Sequence, residues 1–433
     1  MQEKSLTEGP VGRGLLRFAL PVVLSMLAAQ CYTLADTMIV GLKLDANALA
    51  AVSNASTLLM FFLFLSGGME LGGNLLVAAR KPVSTGEALS GLIYNLLFVD
   101  AVIGLAMLGL GLAAFRPLLF LINTPEEIVA QALLYGRIYL FGLPAQMVYD
   151  LSRQILIGCG DSKTPLYFVL CTSALNIGLD LVLVEGLGVA GAALASALSQ
   201  LAGCAGVLLW LRRRVLTSGF RRSMLNVQDM KEIGRLAPPN TLQQMSGAIV
   251  SVLKQSLLGG LGVAAIAGFS CASKVSTFLM ISVYGTAQAL VTFIAQNDAL
   301  GREARIREGI RTAYRILFVL TGGLVLLCVL LNRPILRLFS GDSQVIAYGS
   351  ALLTFEAPSY LVAVVRHIQE ARLRGRQRML RYLVSSISTM AVNVAACMML
   401  VPYTGYAGFY LSTYISTAWS IFLSVLLVRR AGA

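Results

Sequence analysis

Charge is scarce in this chain: only 13% of its 433 residues are Asp, Glu, Lys or Arg. That is about half the share of roughly 25% found in soluble domains, which argues first against an ordinary cytosolic enzyme. Histidine is reduced to the single His367. The seven cysteines stand apart from one another, with Cys31, Cys171, Cys204, Cys271, Cys328 and Cys397 in apolar runs and Cys159 in a loop. That pattern suits neither a disulfide framework nor a zinc site. No Gly-X-Y period and no long polar tract occurs, which excludes collagen-like and disordered chains. Strand-length alternation is missing too, so a transmembrane β-barrel has no support.

Apolar residues are abundant, at 57%. At about 20 residues per crossing, that content suffices for roughly twelve spans. Twelve apolar runs can be marked, from about 15–40 to about 406–428. They predict an all-α integral membrane protein of twelve transmembrane helices. The first run is too long for the core of a signal peptide and is taken as retained.

The net charge of +13 would suit nucleic acid if it were gathered in one domain, but the basic residues lie at the hinges between apolar runs. Lys43, Arg116, Arg333 and Arg337 are the only ones at the hinges on one side. The other side holds nearly all the rest, from Lys4 and Arg13 through Arg212, Arg213 and Arg214 to Arg376, Arg378 and Arg430. By the positive-inside rule both termini are cytoplasmic, in a multi-pass protein of the plasma (inner) membrane. Contact with anionic lipid headgroups accounts for the basic runs, and no nucleic-acid partner is expected.

The chain repeats itself once. Arg17-Phe18-Ala19-Leu20-Pro21 recurs as Arg235-Leu236-Ala237-Pro238-Pro239, and Ser53-Asn54-Ala55-Ser56 as Ser270-Cys271-Ala272-Ser273. Gly188-Val189-Ala190-Gly191 matches Gly405-Tyr406-Ala407-Gly408, and Asn176 matches Asn393, all at an offset of 217 or 218. Six crossings return the chain to its starting side, so the halves are expected to be parallel repeats of six helices whose interface is the substrate path. The division expected is an amino-terminal lobe over 1–211, a basic cytoplasmic linker over 212–235 and a carboxy-terminal lobe over 236–433.

Ionisable side chains deep in a bilayer are costly, so each one retained there is a functional candidate. Asp36 lies near the end of the first span and Asp180 near the end of the fifth, and both spans run outward, so the two acids reach similar depths. Tyr32 and Asp36 share a helix face at i, i+4, as do Asn176 and Asp180; Ser196, eight residues into the sixth span, lies at comparable depth. Two carboxylates, an amide and hydroxyls with no cation nearby could hold a proton or a Na⁺, and crowded acids share a raised affinity for protons. The plainer alternative is that Asp36 and Asp180 are satisfied by interhelical hydrogen bonds and never titrate. Asp150 reads as an ion pair with Arg153 at i+3. Asp100, mid-span, and Glu70, in Gly67-Gly68-Met69-Glu70-Leu71-Gly72-Gly73, are each open between function and structure, since the glycines could serve helix packing alone.

In the second half Asp36 maps to Lys254, and the unusual acid is Glu356, next to Pro358. A Lys254–Glu356 pair in the carboxy lobe, as charge pair or substrate site, is geometrically possible; otherwise Lys254 snorkels to the outer surface. Lys274 faces a cavity or a carbonyl cluster. Gly186-Leu187-Gly188-Val189-Ala190-Gly191 has dinucleotide-fingerprint spacing but follows no strand. His367 has no nucleophile or paired carboxylate placed beside it by the sequence.

The sequence resembles the multidrug and toxic compound extrusion (MATE) family over essentially its whole length. Three stretches carry the likeness: Glu8-Gly9-Pro10 leading to Pro21 and Tyr32-Thr33-Leu34-Ala35-Asp36; Gly160-Asp161-Ser162-Lys163-Thr164-Pro165; and Leu175-Asn176 to Asp180 followed by Gly188-Val189-Ala190-Gly191-Ala192-Ala193. The resemblance implies that Asp36, Asp180 and Asn176 form a cation site in the amino-terminal lobe, that Pro21 lets helix 1 bend, and that Ser196 stands where many members have Thr. Lys254 departs from the sodium-coupled branch, which has an acid in helix 7. The activity implied is that of a secondary antiporter exporting amphipathic, cationic organic compounds in exchange for H⁺ or Na⁺, acting as a monomer among membrane lipids, with no cofactor and no metal beyond a Na⁺ at Asp36, Asp180 and Asn176. A lipid-linked oligosaccharide flippase of the same superfamily is the alternative. An intramembrane transferase would need an acid/base or metal constellation that the sequence does not offer.

Overall fold

The computed structural model describes residues 6–122, 124–259 and 262–429; Lys4 and Arg430, counted in the charge asymmetry, lie outside them. The described residues form thirteen α-helices and no strand. In the amino-terminal half these are α1 (Val11–Lys43), α2 (Ala46–Arg80), α3 (Gly86–Leu121), α4 (Glu126–Gly158), α5 (Lys163–Leu187) and α6 (Val189–Arg214). After one short 3₁₀ turn come α7 (Val227–Gly259), α8 (Val263–Asp298), α9 (Glu303–Arg337), α10 (Ser343–Glu356), α11 (Ser359–Gly375), α12 (Met379–Thr404) and α13 (Ala407–Arg429).

Ten of these are long and apolar enough to cross a membrane, and eleven spans result if α10 and α11 are joined as one, bent by 53°. That bend falls at Pro358, which has no N–H to continue a helical ladder. The tenth apolar run is therefore a broken span rather than one rod. The remaining run is α7, whose 33 residues could cross at about 1.5 Å each but include Gln243, Gln244 and Lys254.

Local chemistry sets the helix starts. Asp45 accepts from the Ala48 amide at 2.7 Å to open α2. Asp342 does the same for α10, from Gln344 at 2.7 Å, each satisfying an orphan donor of the first turn. Asp161 accepts from the Lys163 and Thr164 amides at 3.2 and 3.0 Å, which explains the polar stretch ahead of α5. Gly188 and Gly405 both take φ near +60°, at +56° and +59°, where glycine has no Cβ penalty. Each turns one span into the next at the same place in its half.

The chain forms two compact units, one of residues 24–241 and the other of residues 1–23 with 242–433. Thus α1 begins in one unit and ends in the other, changing over just past Pro21, and α7 does so just past Pro238 and Pro239. α1 itself runs unbroken through Pro21.

Each unit is closed at its basic end by a strap of chain. In the larger-numbered unit the residues ahead of α1 are held by arginines from the start of α9. Arg305 donates to the Gly9, Leu6 and Glu8 carbonyls at 2.8, 3.2 and 3.2 Å, and neighbouring Arg302 donates to that of Thr7. In the 24–241 unit the segment after α6 is pinned along α3. Tyr94 donates to the Ser218 carbonyl at 3.0 Å, while Asn95 donates to Met224 O at 2.8 Å and accepts from the Asn226 amide at 3.0 Å. The basic stretch read from sequence as a linker is thus partly docked. The core of this unit packs Phe115, Leu119, Leu140, Leu143 and Met147 between α3 and α4, with Gly136 giving the Phe115 ring its place.

Candidate functional site

Within the 24–241 unit, the end of α1, the end of α5 and the start of α6 bring the sequence-predicted polar residues together. Asp180 is fully buried, and Asn176 and Ser196 are 1% and 3% exposed. The Asp36 and Asp180 carboxyl groups lie close enough for each to act on the other. Asn176, one turn from Asp180, donates its amide N–H to Asp180 Oδ2 at 2.7 Å and accepts from the Ser196 backbone N–H at 3.1 Å. The Tyr32 hydroxyl lies near that of Ser196. The other Asp180 oxygen, Oδ1, has no hydrogen-bond partner. The i, i+4 spacings on α1 and α5 therefore do converge, and they converge on a carboxyl pair.

The chemistry of such a pair is restrictive. Carboxylates only accept hydrogen bonds, so two can be bonded to each other only if one of them carries a proton, and two ionised carboxylates in contact repel unless a cation sits with them. The nearest lysine does not serve that purpose. Lys43, two turns beyond Asp36, donates to the Leu181 carbonyl at 2.7 Å and to Glu185 Oε2 at 3.0 Å, at the exposed end of the same two helices.

Below the carboxyl pair lies a cavity of about 180 Å³. Its wall runs from Tyr32 and Asn176, past Ser199 and Gln200, to Tyr149, Asp150 and Arg153. Tyr149 and Thr172 share a hydroxyl–hydroxyl hydrogen bond of 3.0 Å across it. Arg153 is ion-paired with Asp150, as their spacing predicts, and stacks on the Tyr149 ring 5.0 Å away.

Sequence reasoning missed Ser199, Tyr139 and Gln200. Ser199 lies 3.4 Å from the Asn176 amide, and Gln200 donates to the Tyr139 hydroxyl at 3.4 Å. The signal for Ser199 was its i, i+3 relation to Ser196. Tyr139 gave none, since tyrosines in spans are common and only helix rotation brings this one inward.

In the other unit Glu356 and Lys254 are both half-buried. Thr413 donates to Glu356 Oε1 at 3.2 Å, and Tyr360, close to the same carboxyl, donates to Ser276 at 2.6 Å. Lys254 is near enough for its charge to act on Glu356, but no direct ion pair joins them among the described residues. Lys274 is exposed. His367 has Nδ1 3.5 Å from Glu370 Oε2, and Glu370 also accepts from Arg366 Nε at 2.9 Å.

An all-helical membrane protein built twice over, with a buried acid beside a polar cavity, is of the transporter class. The MatE family model matches it twice, over residues 21–182 and 239–399, in register with the internal repeat. The chain belongs to the MatE family, the multidrug and toxic compound extrusion transporters, and is an efflux transporter rather than an enzyme. It is 25% identical over 406 residues to a probable multidrug resistance protein of Bacillus subtilis, YoeA, covering 91% of this chain and 88% of that one. It is 24% identical over 359 residues to an FAD transporter of Shewanella oneidensis, covering 80% and 78%. Its fold matches that of a solved outward-facing multidrug resistance MATE transporter of the MOP superfamily with a TM-score of 0.92 at 22% identity, over 99% of both chains.

Proposed function

We propose that this transporter exports amphipathic, cationic organic compounds across the plasma membrane, with both termini cytoplasmic, in exchange for H⁺ or Na⁺ moving inward, and that Asp36 and Asp180 are the coupling pair. The observation that carries this reading is the close approach of two carboxyl groups, one of them fully buried. Such an approach requires a proton or a metal cation and is lost or remade when that cation leaves. Asn176, Ser196 and Tyr32 hold the pair in place and would complete the oxygen shell of a Na⁺. The multidrug resistance names of relatives support a small organic compound as cargo.

The test is ethidium export from proteoliposomes under an imposed pH or Na⁺ gradient, with FAD and a lipid-linked oligosaccharide as competing cargoes. Asp36→Asn and Asp180→Asn keep shape but cannot exchange a charge, so each is expected to fold and to lose gradient-driven export. Asn176→Ala is expected to be milder. Wild-type rates in both Asn variants would sink the coupling role, and preferential export of FAD would overturn the cargo.

A further inference from the structure

We infer that Glu70, Asp100 and Asp150, gathered around Arg153 in the 24–241 unit, form a second proton-holding station that takes the coupling proton from Asp36 and Asp180 and releases it to the cytoplasm. This rests on the coupling reading above and extends it inward.

Glu70, Asp100 and Asp150 sit on α2, α3 and α4, about 15, 21 and 12 Å from the basic ends of those helices at about 1.5 Å per residue. Asp36 and Asp180 lie about 10 Å from the opposite ends of α1 and α5 by the same measure. The cavity of about 180 Å³ bridges the two levels, having Tyr32 and Asn176 in one wall and Asp150 and Arg153 in another. It is polar and roomy enough for several waters, which is what a proton needs to pass between carboxyls.

The charges around this level do not balance without a proton. Arg153 is committed to Asp150. Glu70 accepts only from Ser66 Oγ, at 3.4 Å, among the contacts of the described residues. Asp100 is 1% exposed and its Oδ2 has no hydrogen-bond partner, although it lies within electrostatic range of Asp150 and Glu70. Three acids therefore share this level with one guanidinium. The other titratable groups turned toward them are Tyr139 and Tyr149 on α4 and Cys204 on α6, none of which supplies a positive charge. A buried carboxylate without a cation is so costly that neutralisation is the ordinary outcome.

Packing does not explain these acids. The glycines around Glu70 are accounted for by close approach: a Cβ on Gly68 would collide with Thr241, and one on Gly73 would sit 2.5 Å from Leu151 Cδ1. The transfer needs nothing beyond a proton: a protonated carboxyl at Asp36 or Asp180 loses it to cavity water, and a carboxylate of the inner station gains it.

The test uses the full chain in proteoliposomes with ethidium as cargo, comparing wild type, Asp36→Asn and the double variant Glu70→Gln with Asp100→Asn. The double variant should bind ethidium within about twofold of wild type, export it about tenfold more slowly under a pH gradient, and lose the dependence of rate on cytoplasmic-side pH. Infrared difference spectra between high and low pH of Asp36→Asn with Asp180→Asn should contain protonated-carboxyl bands that are lost from the spectrum when Glu70 and Asp100 are also amidated. Unchanged bands on amidating Glu70 and Asp100 in the folded Asp36→Asn, Asp180→Asn protein overturn the station. A double variant with wild-type rate and pH profile, beside an inactive Asp36→Asn, overturns it too and leaves the coupling pair standing. So does export that follows Na⁺ at fixed pH and ignores pH. If Asp36→Asn itself exports at the wild-type rate, both readings fall.

Discussion

Where the amino-terminal half carries Asp180 on α5, the carboxy-terminal half carries Cys397 at the same place on α12, and its thiol lies 2.8 Å from Ser412 Oγ. Where α1 carries Asp36, α7 carries Lys254. Around these exchanges the frame is kept. Asn393 donates to Ser416 Oγ at 2.9 Å, just as Asn176 lies beside Ser199 on the equivalent helix pair. Thr413 occupies the position of Ser196, and Glu356 that of Tyr139, so the half-buried acid of the second site hangs from a different helix and bonds to Thr413. Even the i, i+3 pair Asp150 and Arg153 recurs as His367 and Glu370, with the acid last instead of first.

An amide–hydroxyl clasp thus suffices to join consecutive spans in either half, and a neutral residue can stand where Asp180 does. The carboxyl pair is not needed to build the scaffold. A buried charge without a structural task is expensive in a bilayer, which is the physical reason to assign the pair to coupling.

The sharpest way to break that contrast is to make the first half resemble the second. Asp180→Cys is expected to lower gradient-driven ethidium export about a hundredfold, the upper range of a coupling free energy, while Cys397→Ala leaves it within about twofold. Initial rates in proteoliposomes decide this. Equal losses in the two variants would mean that both sites serve the frame or both serve transport.

A smaller effect is expected at Lys254 and Glu356. Their charges lie near each other without touching, so a double-mutant cycle with Lys254→Ala and Glu356→Gln should give a coupling in protein stability of about 0.5–1 kcal/mol. Strict additivity would rule out any pair. Loss of ethidium affinity in Glu356→Gln whatever occupies position 254 would make Glu356 a cargo contact instead.

These contrasts were legible in the sequence to different depths. Asp36, Asp180 and Asn176 stood out because a polar or charged residue in an apolar run is conspicuous, and the helical period fixes which of its neighbours share its face. The repeat offset exposed Lys254 at once. Tyr139, Ser199 and Gln200 stayed hidden, because which of many tolerable polar side chains converge depends on how each helix is rotated about its axis, and periodicity within one helix says nothing of that. Glu70, Asp100 and Asp150 were seen singly, on three different helices, with no spacing to unite them. The changeover of α1 and α7 between units was likewise invisible, since Pro21, Pro238 and Pro239 mark places where a helix can yield but not which neighbours it packs against.

The smallest test concerns the turns that both halves share. Gly191 and Gly408 each let a new span start tightly against the one before it. A Cβ at Gly408 would sit 2.7 Å from the Val401 amide nitrogen, and one at Gly191 would strike the Leu183 carbonyl oxygen more closely still. In each case the obstacle is backbone, which cannot swing aside as the end of a side chain can. Gly191→Ala and Gly408→Ala should therefore each destabilise the protein by about 1–3 kcal/mol, the cost of overpacking, with Gly191→Ala the worse of the two. Thermal unfolding in detergent orders them. Both should leave the cation dependence of residual export unchanged, because neither touches an ionisable group. A changed cation dependence in Gly191→Ala alone would mean that the α5–α6 turn sets the distance between Asn176 and Ser196, and that in the first half scaffold and coupling site are one device.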